Sequence, residues 1–170
     1  MRIKGKIMSI KLFHYQWVAV DNSKEIAQLA VCLTEEIIER TGTPHFDINT
    51  ELAEELCRTF ISQNQYYVIA AFQQDHVIGF GALCESYALY AEGKFAILQE
   101  FFVLPDFRSQ RVGYELIEEI KKFAIQKKWK RIELCTPPLP EFERTVSFYK
   151  ENGFERTGGY KMKYVIKNDH

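Results

Sequence analysis

The stretch from Phe101 to Leu116 reads Phe-Phe-Val-Leu-Pro-Asp-Phe-Arg-Ser-Gln-Arg-Val-Gly-Tyr-Glu-Leu, and it constrains the fold of this 170-residue chain more than any other. The apolar run Phe95 to Val103 reads as a buried strand, Pro105 ends it, and an apolar 3-4 pattern starts at Leu116. Strand, tight loop and helix start therefore follow one another directly. A loop of this kind aims several backbone N–H groups at one point, and the helix dipole adds positive potential there. Its natural guest is a phosphate or pyrophosphate. The chain has no Gly-x-x-x-x-Gly-Lys-Ser/Thr segment, which argues against nucleoside triphosphate chemistry, and no Gly-x-Gly-x-x-Gly.

The length suits one domain with one sizeable core. Hydrophobic residues at 46% and aromatic residues at 14% indicate a globular chain rather than a disordered one. A formal net charge of -1 gives no electrostatic reason to expect a nucleic acid or an anionic membrane as partner. Cys32, Cys57, Cys84 and Cys135 lie far apart in apolar patterns, without metal-ligand spacing. They read as reduced core thiols of a cytoplasmic protein without a metal. No apolar run approaches the roughly 20 residues of a membrane span. Lys4, Lys6 and Lys11 interrupt the apolar character of the first twelve residues, so a signal peptide is not expected. Met8 offers a second start. Residues 1–8 are expected to be a disordered extension, with residues 1–7 native or not, ahead of a single domain over 9–170.

In chain order, Lys11 to Val20 reads as a first strand. Asp21, Asn22 and Ser23 are N-cap types before a helix carrying Ile26, Leu29, Leu33 and Ile37, which Gly42 closes. After a loop with Pro44, His45 and Asp47, Asn49 or Thr50 caps a second helix with Leu52, Leu56, Phe60 and Ile61 on one face. Tyr66 to Phe72 and His76 to Cys84 form a hairpin about Gln73–Asp75, with Gly79 and Gly81 hinting at close backbone approach. Glu85 to Lys94 reads as a polar, aromatic loop. Beyond the central loop come a helix with Leu116, Ile117, Ile120, Phe123 and Ala124 inward, a strand at Arg131–Cys135, a stiff loop with Pro137, Pro138 and Pro140, and a helix over Phe142–Asn152. Phe154–Thr157 and Tyr160–Lys167 read as two last strands joined at Gly158-Gly159. The order gives an α/β (α+β) domain with a mixed, mainly antiparallel central sheet flanked by helices.

Two segments carry a resemblance. Val103, Pro105, Phe107, Arg108 and Gly113 resemble, position by position, the Val-x-Pro-x-Tyr/Phe and Gln/Arg-x-x-Gly-x-Gly/Ala acyl-CoA loop of the GNAT family of N-acetyltransferases, with Arg111 where the first glycine is usual. Ser147-Phe148-Tyr149-Lys150-Glu151-Asn152-Gly153-Phe154 resembles the family's Phe/Leu-Tyr-x-x-x-Gly-Phe signature. The element order agrees over about residues 9–167. The resemblance implies acetyl-CoA as co-substrate, an amine acceptor on a small molecule or peptide, and direct transfer in a ternary complex. The alternative is a catalytically weak or inactive CoA-sensing module with the same fold, motivated by Arg111 and by the position of the strand carboxylate.

Acetyl transfer to an amine needs the cofactor pyrophosphate held, the thioester carbonyl polarised, a proton taken from the amine and a proton given to the thiolate. The resemblance places Tyr149 near the sulfur as the proton donor. Its phenol, ordinarily near pKa 10, stays protonated at neutral pH. Glu100, a carboxylate in an apolar strand, is the base expected from the residues, since burial raises its pKa towards a useful value. The resemblance adds that some relatives carry an acid at the position matching Gln99, one before the acid of this chain. Strand alternation puts Gln99 and Glu100 on opposite faces unless a bulge intervenes. Glu133 or a water relay are the other readings. Phe101, Phe102 and Val103 are expected to offer backbone groups to the pantetheine arm, and Arg108, Ser109, Gln110, Arg111, Val112, Gly113 and Tyr114 to wrap the pyrophosphate. Arg108 and Arg111 either add charge there or are solvated. Arg111 is expected at negative φ. His45, Asp47, Tyr87 and Tyr90 line the acceptor pocket or are ordinary loop residues. Phe142 stands where the family often has an asparagine. An edge strand near the C-terminus makes a homodimer an expectation.

Overall fold

The structure is a computed structural model that describes residues 12–44 and 49–166. Residues 1–8, His45 and Asp47 lie outside the described residues. The chain divides into two compact units, one ending at Leu134 and one beginning at Cys135.

The first unit carries a five-stranded sheet in the order β1 (His14–Trp17), β2 (Tyr67–Gln73), β3 (His76–Ala88), β4 (Gly93–Val103), β5 (Ile132–Leu134). The first four strands pair antiparallel, and β5 joins β4 in parallel, so the sheet is mixed and mainly antiparallel as expected. The parallel pair arises where α3 (Val112–Gln126) carries the chain over from β4 to β5. On one face, Val68, Ala70 and Phe72 of β2, Phe80 and Ala82 of β3 and Phe102 of β4 pack with Ile26 and Leu29 of α1 (Ser23–Thr41) and Cys57 of α2 (Thr50–Ser62). The other face takes Leu116, Ile117 and Ile120 of α3, each fully buried. Burying such a side chain contributes about 1.5–3 kcal/mol, so these three anchor α3 and its first turn to the sheet.

The caps explain the helix ends. The Asn49 side chain accepts from the Leu52 N–H, as the sequence suggests. Gly42, in the left-handed region at φ 67°, closes α1 with its N–H on the Ile38 carbonyl.

Four expectations for the elements need correction. Strand β1 spans four residues rather than ten, because Val20–Asn22 turn into a 3-10 segment. The Glu85–Lys94 loop is mostly strand: β3 continues to Ala88 and β4 begins at Gly93, so a short turn suffices. On α2 the inward residues are Ala53 and Cys57, while Leu52, Leu56 and Phe60 are exposed. Small side chains let that helix approach closely, which turns the leucine stripe outward. The cysteines are not uniformly core thiols, since Cys57 is buried, Cys32 and Cys84 are half-buried and Cys135 is exposed.

The second unit holds α4 (Glu143–Glu151), with Phe142 at its N-cap and Gly153, at φ 87°, just past its end. Residues 154–166 form no strand. Tyr160, Met162 and Tyr164 are 95%, 90% and 85% exposed, against the expected half-buried strand. Alternation marks a strand only if a neighbour supplies the ladder, and an isolated two-stranded hairpin is marginal in water.

Candidate active site

Strand β4 is built around an irregularity. Ala82 pairs with Glu100 but Leu83 pairs with Leu98, which leaves Gln99 as the extra residue of a β-bulge. Glu100, opposite Ala82, therefore lies on the face covered by α1 and α2. The Gln99 amide reaches the Cys84 sulfur at 3.2 Å, and Cys84 lies two residues from Ala82 on that same face. The bulge brings Gln99 and Glu100 to one side, which resolves the conflict set by simple alternation.

Glu100 is half-buried and accepts a hydrogen bond from the Tyr66 hydroxyl. Burial first, and then the charge of Glu100, push the Tyr66 phenol far up. The sequence places Tyr66 at the start of a strand and gives it no role in the site. A tyrosine ahead of a strand carries no signal until register is known. Glu133, paired with Ile97 in β5, shares the Cys84 face. Its oxygens both lie 3.3 Å from the Tyr90 hydroxyl and one lies 3.8 Å from Arg131. Tyr87 lies elsewhere. It donates to Glu85 at 2.6 Å, and Glu85 also takes the Trp129 indole N–H at 2.6 Å on the α3 side.

The β5 ladder covers Ala96, Ile97 and Leu98 and stops. From Gln99 to Val103, β4 runs on with no described strand beside it on that edge. A neighbour of extended shape and amide character fits there.

At the end of β4, Arg108 acts as a tie. Its Nε donates to the Val103 carbonyl at 2.8 Å, and its two terminal nitrogens grip the Glu36 carboxylate of α1 at 3.1 and 2.6 Å. The guanidinium also lies 5.3 Å from the Phe102 ring centroid. The hydrogen bonds from Arg108 hold the Glu36 carboxyl below the usual carboxylate range. The Arg108 side chain is thus held by Glu36 and the Val103 carbonyl rather than standing free in solvent. It fixes where the loop starts.

Ser109 and Arg111 both take left-handed backbone, at φ 62° and 67°. The expected negative φ at Arg111 is wrong, because the turn into α3 has the path that a glycine supplies elsewhere. No side chain caps α3 at Arg111. The N–H groups of Val112, Gly113 and Tyr114 belong to the helix's first turn, which has no i−4 carbonyl. Alternating left-handed backbone ahead of such a turn makes a concavity for an anion. The Gln110 side chain bonds back to the Asp106 carbonyl at 2.9 Å, and the Arg111 guanidinium lies 4.3 Å from the Tyr114 ring centroid. The residues present fit a pyrophosphate held by backbone donors with one arginine nearby.

With that geometry in place, comparison with known proteins settles the family. The sequence model of the Acetyltransferase (GNAT) family matches residues 32–154.

The chain belongs to the GNAT family.

It is an N-acetyltransferase, and acetyl-CoA is the acetyl donor of its family. A curated protein of Bacillus subtilis (strain 168), the uncharacterized N-acetyltransferase YhfO, is 26% identical over 108 residues, covering 64% of this chain and 71% of that protein. The aminoglycoside acetyltransferase meta-AAC0020 from an uncultured soil metagenomic sample, in complex with sisomicin, superposes with a TM-score of 0.72 at 18% identity, covering 92% of this chain and 97% of that chain. Aminoglycoside N-acetyltransferase AAC(6')-Iy in complex with CoA gives 0.73 at 16% identity, covering 90% and 94%. At such identities these structures share the fold. Among the described residues, no three His, Cys, Asp or Glu side chains gather as a metal site.

In the second unit Tyr149 is buried, with Phe148 and Phe154 edge-on to its ring at 5.3 and 5.5 Å. Burial pushes its phenol up, so the proton stays on at neutral pH. Phe142, in the asparagine position, is buried.

Proposed function

We propose that this GNAT enzyme transfers an acetyl group from acetyl-CoA to an amine of a small molecule or peptide, directly in a ternary complex, with Glu100 as general base. Bound acetyl-CoA supplies the activated acetyl group as a thioester. The backbone of Ser109 to Tyr114 binds the pyrophosphate, and the backbone of Phe101 to Val103 lies along the pantetheine and donates to the thioester oxygen. The Glu100 carboxylate takes the amine proton. Tyr149, kept protonated by its burial, gives a proton to the departing sulfur. That role rests on the resemblance of Ser147–Phe154 to the family signature.

The observation that carries this reading is the bulge at Gln99, which turns Glu100 to the same face as Cys84 beside an edge of β4 that β5 leaves unpaired. The non-catalytic alternative drew on Arg111 and on the displaced acid. The left-handed backbone of Arg111 is one a glycine also adopts, and the bulge gives the acid a place on the same face as Gln99, which supports the catalytic reading over that alternative. His45 and Asp47 are proposed to line the acceptor side with Tyr90. Two structural likenesses are to proteins named for aminoglycosides, at 18% and 16% identity, so an aminoglycoside is one member of the acceptor panel, beside polyamines and peptide N-termini.

The test is thiol release from acetyl-CoA over that panel. Glu100→Gln is expected to lower kcat/KM for the best acceptor by about 10²–10⁴-fold, with the KM for acetyl-CoA unchanged. Retention of full turnover by Glu100→Gln sinks the assignment of the base.

A further inference from the structure

We propose that Tyr66 is a positioning residue that orients the Glu100 carboxylate towards the acceptor amine. The inference rests on the reading of Glu100 as base.

Register explains how the two meet. Val68, Ala82 and Glu100 form one lateral row across β2, β3 and β4. Tyr66 lies two residues before Val68 and packs against the same cluster, so its side chain reaches diagonally past β3 to the carboxylate. The ring is held from α2 by Phe60, edge-on at 6.0 Å. A carboxylate on a bulged strand has freedom that catalysis cannot use, and a donor fixed by the fold limits it. That donor also favours the ionised carboxylate, which accepts better than the acid does. Burial keeps the phenol protonated across the working range, so the donor does not switch off.

The groups around the pair come from four elements. Cys57 of α2 faces it. Burial first, and then the charge of Glu100, push its thiol up. Arg58 and Glu54 of α2 act on Cys57 more weakly and pair with each other at 2.9 Å. Cys84 of β3 adds to the upward push on Tyr66. From α1 comes Cys32, packed against the same cluster. Gln99 of β4 donates to Cys84. Of these, Tyr66 is the group whose hydroxyl donates to Glu100.

The test is Tyr66→Phe, which keeps the ring and removes the hydroxyl. Glu100 is titrated by carbon NMR with side-chain carboxyl-labelled glutamate, its signal assigned by its absence in Glu100→Gln. Loss of the donor is expected to raise the Glu100 midpoint by about one pH unit, a tenfold change in proton affinity. The acid limb of kcat/KM should move up by the same amount. The plateau should fall about tenfold, with KM for acetyl-CoA unchanged. Phe60→Leu, which loosens the ring without touching the hydroxyl, should lower Tm and leave the midpoint in place. An unmoved midpoint in Tyr66→Phe overturns the positioning role while leaving Glu100 as base. A moved midpoint together with full turnover in Glu100→Gln overturns the base assignment, and the role of Tyr66 with it.

Discussion

At Arg111 the side chain and the backbone ask for different things. The left-handed region at φ 67° costs a residue with a Cβ about 1–2 kcal/mol relative to glycine. The guanidinium returns part of this through the Tyr114 ring, at 4.3 Å, worth about 0.5–1 kcal/mol at an exposed site. Its ion pair with Glu115, at 3.8 Å and well exposed, adds little. Arg111→Ala loses the ring contact and keeps the strain, whereas Arg111→Gly loses the contact and relieves the strain. The glycine variant is therefore expected to be more stable than the alanine variant by about 1 kcal/mol, a difference of about 2–4 °C in Tm for a chain of this size. Acetyl-CoA affinity of Arg111→Gly should stay within about tenfold of wild type, or about 1.4 kcal/mol, because the binding donors are backbone groups. Thermal melts and calorimetric titration check the two parts. A glycine variant less stable than the alanine variant would show that the loop does not have this backbone. The sequence marked Arg111 as a departure but not its sign: nothing in the letter arginine tells whether φ is negative or positive.

Among the elements, β3 and β4 set the geometry, and the two glycines inside β3, Gly79 and Gly81, are chosen by contact rather than by turn. A Cβ on Gly79 would lie 2.9 Å from the Phe102 carbonyl oxygen, which is backbone and cannot move without parting the strands. A Cβ on Gly81 would lie 2.9 Å from Ile120 Cδ1 and 3.2 Å from the Phe101 ring, both ends of side chains. Overpacking a core costs typically 1–3 kcal/mol. Gly79→Ala should fall at the upper end, about 3 kcal/mol, and Gly81→Ala nearer 1 kcal/mol. Urea unfolding separates them, and the reverse order would mean that the strand pair yields more easily than the α3 face. The close approach at both glycines was legible in the sequence. So were the hairpin, the caps at Asn49 and Gly42, and the inward stripe of α3. The bulge was legible only as a conflict between Gln99 and Glu100. The partners of Glu100 and Arg108 were not legible, since Tyr66 and Glu36 lie 34 and 72 residues away in the chain and meet them only through register. On α2, hydrophobic size misled: packing chose Ala53 and Cys57 because short side chains permit approach.

For the molecule as a whole, the first unit followed from pattern because each of its strands has a neighbour to confirm it. Residues 154–166 kept the alternation of a strand without one, and there the pattern alone decided nothing. What joins α1 to the loop at the end of β4 is instead an ion pair, Glu36 with Arg108, and it makes stability depend on pH. The folded-state pKa of Glu36 is depressed below its unfolded value, so its contribution is present above the unfolded value and lost as pH falls through the folded one. Hydrogen bonds to a charged group contribute about 1.5–3 kcal/mol, but both side chains are partly exposed, at 36% for Arg108 and 21% for Glu36, which argues for about 1 kcal/mol here. Glu36→Gln should accordingly be less stable than wild type by about 1 kcal/mol at pH 7, and the two should converge on acidification below pH ~4.5 as wild-type Glu36 takes up its proton. Arg108→Lys should also lose stability, because a single ammonium cannot hold both Glu36 oxygens and the Val103 carbonyl in one plane. Denaturant midpoints at pH 7, 5 and 3.5 decide the matter. A gap between wild type and Glu36→Gln that stays constant over that range would mean that the carboxylate is not held by Arg108 in solution, and that the loop's starting point is fixed by the Phe102 and Val103 packing alone.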